Sequence, residues 1–138
     1  MKKKTGLILW CFLTFLSVFS FGINSAYAYT TCYSDDIKCR AVRMYYGQQQ
    51  YAATGTAYFA KGETIYYAWD NDAPGIMQVG FRVYNSAGAP VSKELLAVKE
   101  GGNWGYWTVT SSGYYYLFAS CEGDNDTRCE GGGLLKKW

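Results

Sequence analysis

The stretch "IMQVGFRVY", Ile76 to Tyr84, decides the fold class. Met77, Val79, Phe81 and Val83 fall on one side of an extended chain, and Gln78, Gly80, Arg82 and Tyr84 on the other. Alternation with a period of two marks a strand with one buried face. "ETIYYAW", Glu63 to Trp69, repeats it, setting Ile65, Tyr67 and Trp69 against Thr64, Tyr66 and Ala68. "NSAG" at 85–88 and "EGGN" at 100–103 are turn chemistry. "TGTAYFA" (Thr54–Ala60), "WGYWTV" (Trp104–Val109) and "YYYLFASC" (Tyr114–Cys121) read as further strands. "AVRMYY" (Ala41–Tyr46) fits a strand or a short helix. "VSKELLAV" (Val91–Val98) fits a strand or one helical turn, and its neighbours favour the strand. The expectation is an all-β fold, an antiparallel β-sandwich of about seven or eight strands.

The N-terminus reads differently. Lys2, Lys3 and Lys4 precede an apolar run from Gly6 to about Ile23, and Ala26-Tyr27-Ala28 closes it. This predicts a secretory signal peptide over 1–28 and a single domain over 29–138, secreted and extracellular. A membrane anchor is the competing reading of so long an apolar run. Ser17, Ser20, Gly22 and the Ala-x-Ala end favour cleavage, which leaves no transmembrane segment in the mature chain. Losing 28 of 138 residues leaves 110, enough for one modest core. Lys+Arg falls from 13 to 10 against 11 acidic residues, so the net charge moves from +2 to −1. Nothing in that balance steers toward nucleic acid.

Cys11 lies within the apolar run. Cys32, Cys39, Cys121 and Cys129 remain, and an even number in an exported chain reads as two disulfides. Histidine is absent, which removes His-based triads and His metal ligands together.

"GTAYFAKGETIYYAW", "VGFRVYNSAG" and "SSGYYYLFAS" follow one another in a recognisable order: a Lys-Gly-acid turn between strands, a Val-Tyr edge, then a Ser-Gly-x-Tyr hairpin. Over Gly55 to Ser120 the chain resembles the small jelly-roll modules of secreted bacterial proteins, of the pre-peptidase C-terminal type. The resemblance implies a β-sandwich with an accessory or binding role. It supplies no catalytic residue, and the cysteine-bearing ends fall outside it.

Two acidic loops stand out, "WDNDAPG" (Trp69–Gly75) and "CEGDNDTRC" (Cys121–Cys129). If successive strands reverse direction, both loops and the Lys99–Asn103 turn lie at one end of the sandwich. Asp70, Asp72, Asp124 and Asp126 would then offer hard oxygens of the kind calcium takes, with Glu122, Asn71 and Asn125 nearby. The alternative is that Asp and Asn simply populate turns, where their side chains bond the local backbone. Calcium is the one cofactor the chain suits, and the alternative is none. The same parity count bears on the cysteines. Two strands within Arg40–Ala60 favour the local pairs Cys32–Cys39 and Cys121–Cys129, whereas one strand leaves bridges between the termini open.

Thirteen tyrosines and four tryptophans follow residue 28. Exposed rings stack on sugars. By alternation Tyr66, Tyr84, Tyr106, Tyr115 and Tyr45 are the candidates for a ligand face, against the plainer reading that aromatic residues pack sheets. Gly131–Gly133 reads as a flexible tether or a turn, and "LLKKW" at 134–138 as a last strand or a solvated tail, with an amphipathic tag that touches an anionic membrane or cell wall as the alternative. Catalysis is the least supported class, because the carboxylate pairs lie in polar loops without an evident cleft. The expected function is a non-enzymatic extracellular module binding a cell-envelope or extracellular ligand, with polysaccharide as the candidate. The alternative is an exported antimicrobial or toxin-like protein acting on neighbouring cells.

Overall fold

The computed structural model describes residues 31–33, 35–123 and 125–138, so the expected signal peptide over 1–28 lies outside the described residues. The strands are β1 (Cys39–Met44), β2 (Tyr51–Ala53), β3 (Ala57–Phe59), β4 (Thr64–Asn71), β5 (Val79–Asn85), β6 (Leu95–Ala97), β7 (Gly102–Thr108), β8 (Gly113–Cys121) and β9 (Gly131–Lys137). One sheet has the order β1-β9-β4-β7. The other runs β2-β8-β5-β6, with β3 also on β8. All pairings are antiparallel. The chain changes sheet at most connections, which winds two Greek keys into a jelly roll. β2 and β3 are two parts of one edge. Between them Thr54 donates its N–H to the Leu117 carbonyl and accepts the Leu117 N–H on Oγ1, each at 2.9 Å, so β8 loses no partner.

The alternation places the core. Ile65, Tyr67 and Trp69 of β4 meet Val79, Phe81 and Val83 of β5 and Leu117 of β8, all essentially solvent-free. β9 corrects the reading of Gly131–Gly133 as a tether or turn. It is a central strand, pairing Leu135 with Arg40 on one side and with Tyr67 on the other. The glycines are needed there because a Cβ on Gly133 would strike the Trp69 indole and Leu117. Large ring and missing side chain are two halves of one packing solution.

Buried polar chemistry joins the layers. Asn71 accepts the Trp69 indole N–H at 2.9 Å and donates to the Ala97 and Val98 carbonyls at 2.8 Å each. One carboxamide thus satisfies three groups where β4 passes over β6. At the opposite end Glu63 accepts Lys38 Nζ at 2.6 Å and Lys137 Nζ at 3.0 Å, and the Ala60 N–H at 2.9 Å. The lysine on the β1 side, the Ala60 N–H and Lys137 together hold its carboxyl down at about 2. Both disulfides are local, Cys32–Cys39 and Cys121–Cys129, spanning 7 and 8 residues.

Strand limits differ from expectation for local reasons. β5 starts at Val79, not Ile76, because Ile76 N–H bonds the Arg128 carbonyl and Gln78 N–H bonds Glu122 Oε1. Val91–Val98 pairs only from Leu95 to Ala97. Upstream, the Ser92 hydroxyl accepts the Val83 N–H at 2.8 Å and takes the place of a ladder bond.

Asn71→Asp keeps the shape and the acceptor but loses the donor. It is expected to cost about 2–4 kcal/mol, measured by urea unfolding, since two buried carbonyls lose their partner. Glu63 sets a pH dependence. Its carboxyl is lower in the folded chain than in the unfolded one, so its contribution is full above the ordinary carboxylate range and is lost as pH falls toward 2. Glu63→Gln is expected to flatten the stability-against-pH curve between about pH 5 and pH 2, as read by thermal melts across that window.

Candidate functional site

The outer face of the four-stranded sheet carries a contiguous aromatic surface. Tyr66 projects from β4, Trp104 and Tyr106 from β7, and Trp138 directly follows β9. The register sets Tyr66 opposite Tyr106 on one side and Lys136 on the other. Ring centroids lie 5.5 Å apart for Tyr66 and Tyr106, 5.9 Å for Tyr66 and Trp138, 4.7 Å for Tyr106 and Trp138 and 5.6 Å for Trp104 and Tyr106. Trp104 lies nearly parallel to Tyr66, at 28° and 6.4 Å. Lys136 Nζ sits 5.5 Å from the Tyr66 ring centre. These rings stay open to solvent although packed together: Trp104 is 59% exposed and Trp138 is 69%.

Two depressions adjoin the rings. One, of about 410 Å³, is bounded by Tyr66, Trp104, Tyr106, Leu134, Lys136 and Trp138, with Thr31 and Tyr33 at its margin. The second, of about 320 Å³, shares Tyr66 and Trp104 and ends at Asp70 and Asn103. Asp70 has no ion pair or hydrogen bond to its side chain among the described residues. Burial raises its carboxyl above the ordinary value, and the Asp72 charge adds to the rise. Gly102 keeps the space beside it clear, since a Cβ there would meet Asp70 Oδ1. The face therefore offers flat apolar rings flanked by an acceptor at one end and an ammonium at the other.

Of the tyrosines expected on a ligand face, Tyr66 and Tyr106 come together here. Tyr84 lies on the outer face of the other sheet, half-buried among Tyr116, Phe118 and the Arg82 guanidinium. Tyr45 is exposed beside Arg43 on the flank of β1. Tyr115 is a correction. It is only 4% exposed, packs on Phe59 and Trp107, and donates its hydroxyl to the Ser111 carbonyl. Burial raises its phenol above the ordinary value. Leu117, Ala119 and Cys121 set the inward phase of β8, and Tyr115 belongs to it; Tyr114 and Tyr116 face outward. Trp104 was reachable by the same logic, since it shares the phase of Tyr106. Trp138 and Lys136 read from sequence as an amphipathic tail, and their place beside Tyr66 depends on β9 being central.

The acidic loops do lie at one end. Asp72 N–H bonds the Glu130 carbonyl, Ile76 N–H the Arg128 carbonyl and Asn71 N–H the Gly101 carbonyl. Asp72 accepts Arg43 Nη2 at 2.8 Å. Asp126 accepts Arg128 Nη2 at 2.7 Å and the Arg128 backbone N–H at 2.8 Å, and the arginine holds its carboxyl at about 2. Asp70 faces the aromatic groove, and Asp124 lies outside the described residues. Among the described residues no three His, Cys, Asp or Glu side chains gather as a metal cluster.

No protein-family model and no curated protein matches the sequence. Among solved structures, the chain is similar to the pre-peptidase C-terminal domain of a collagenase from Bacillus anthracis. The two are 10% identical, with a TM-score of 0.46 over 75% of this chain and 90% of that one.

The arginine pairs and a calcium cage make opposite demands on the same oxygens. With the pairs in place, the thermal midpoint is expected to be the same in calcium and in chelator. Asp126→Asn should then lower it equally in both. A midpoint raised by calcium, and lost in Asp126→Asn, would instead put a cation at this end.

Proposed function

We propose that the protein is a non-enzymatic extracellular binding module whose four-stranded sheet presents its outer face to a glycan of the cell envelope or surroundings. The observation that carries this reading is the contiguous group of half-buried Tyr66 and exposed Trp104, Tyr106 and Trp138, flanked by Asp70, Asn103 and Lys136. Large rings are costly to leave in water and mark interaction surfaces when they cluster. A sugar matches such a surface by laying its C–H face on the rings and turning its hydroxyls to the polar rim. The two disulfides support an oxidising, extracellular setting.

Retention of the purified protein on insoluble polysaccharides and cell-wall preparations tests the proposal. Trp104→Ala and Trp138→Ala are each expected to weaken retention by about tenfold or more, the loss typical of an aromatic anchor. Their melting temperatures should stay close to the parent's, because both rings are exposed. Tyr51→Ala, on the other sheet, should bind as the parent does. Unchanged retention in both tryptophan variants would overturn the reading. Growth inhibition of related strains without retention would support the antimicrobial alternative.

A further inference from the structure

The edge of β7 that pairs with no strand among the described residues is the second unusual surface. The hydrogen-bond pattern fixes which of its backbone groups are used. Asn71 N–H bonds the Gly101 carbonyl and Val109 N–H bonds the Glu63 carbonyl. Thr64, in contrast, gives its carbonyl to Trp138 on the β9 side. Odd-numbered residues of β7 therefore turn their backbone toward β4. Gly102, Trp104, Tyr106 and Thr108 turn theirs outward.

Exposed edges are normally blunted by charge, proline, short length or cover. The other edges here follow that rule. β1 carries Arg40 and Arg43 and is tied down by the Cys32–Cys39 bridge. β2, β3 and β6 have three residues each. β7 has seven residues, "GNWGYWT", with no charge and no proline. Among the described residues its one outward cover is the Asn103 side chain, which accepts the Trp104 N–H at 2.8 Å and donates to the Leu96 carbonyl at 3.0 Å. Beside this edge Leu96 and Val98 are also exposed, so the flank is apolar as well as open.

We propose that β7 pairs antiparallel with β7 of a second copy of this chain, forming a two-fold dimer with one continuous eight-stranded sheet. A strand without charges meets no repulsion when it pairs with itself, and an antiparallel pairing is self-complementary under a two-fold axis. With the axis at Gly105, Trp104 faces Tyr106 of the partner subunit, and Gly102 faces Thr108 of the partner subunit. The outward backbone groups then bond each other, Trp104 exchanging its Asn103 contact for a ladder bond. Alternation leaves Trp104 and Tyr106 of both copies on one outer face. The two aromatic surfaces merge, and each copy adds rings to the other's groove. The inference stands on the backbone edge and does not depend on what the rings bind.

Sedimentation of the purified mature chain from micromolar to millimolar concentration, without ligand, tests it. The expected result is a monomer–dimer equilibrium. Thr108→Pro removes an outward N–H that β4 does not use, and edge strands tolerate proline at such a position. It should weaken dimerisation by about tenfold or more, because two symmetry-related hydrogen bonds are lost. Its circular dichroism spectrum and melting temperature at low concentration should match the parent's. Thr108→Lys, which keeps the N–H but adds an edge charge, should also weaken association and guards against misfolding of the proline variant. A parent that stays monomeric throughout, or variants that dimerise as the parent does, would overturn the proposal.

Discussion

The contact between Trp69 and Gly133 is the constraint on which the rest of the sandwich depends. An indole is the largest side chain a core takes, and here it lies between the layers and also over the backbone of a neighbouring strand. That strand has to lack a Cβ where the ring arrives. A three-glycine run is a poor strand on propensity alone, since glycine gains least from pairing and loses most freedom on ordering. It is held in place by pairing on both sides, with β1 and with β4, and by Leu135 entering the core two positions on. Once β9 is seated, Lys136 and Trp138 are delivered to the outer face beside Tyr66.

The two ends of the sandwich are secured by different chemistry. At one, Asn71 spans the layers inside the core while arginines neutralise Asp72 and Asp126 outside it. At the other, Glu63 gathers two lysines from segments far apart in sequence. Between the ends, both outer faces carry aromatic side chains with a cation beside them, Arg82 at Tyr84 and Lys136 at Tyr66. The rings serve as packing around Tyr84 and as an open surface around Tyr66.

Alternation made the core of β4 and β5 legible, because Ile65, Tyr67, Trp69, Val79, Phe81 and Val83 keep phase without interruption. Strand parity likewise placed the 70–75 and 122–128 loops at one end and pointed to local disulfides. Tyr115 was misplaced because "YYY" has no phase of its own; the phase comes from Leu117, Ala119 and Cys121 beyond it. β2 is not legible in the sequence because three residues after a glutamine run show no period. The role of 131–133 was hidden for a different reason. Glycine as a strand former is intelligible only against Trp69, a neighbour more than sixty residues away. The aromatic groove was half legible, since Tyr66 and Tyr106 follow from alternation while Trp138 follows from topology.

The central position of β9 also bears on how the aromatic surface comes into being. The other sheet contains the nearby pairing of β5 with β6, whereas its counterpart is built from distant ones: β1 with β9, β9 with β4, and β4 with β7. Such long-range pairing makes the surface a collective product of the chain rather than a property of any segment. The rings from β4, β7 and Trp138 converge only when β9 and β7 are both docked on β4. A ligand bound there as proposed would be energetically coupled to completion of the fold and would act as a clamp on the chain as a whole.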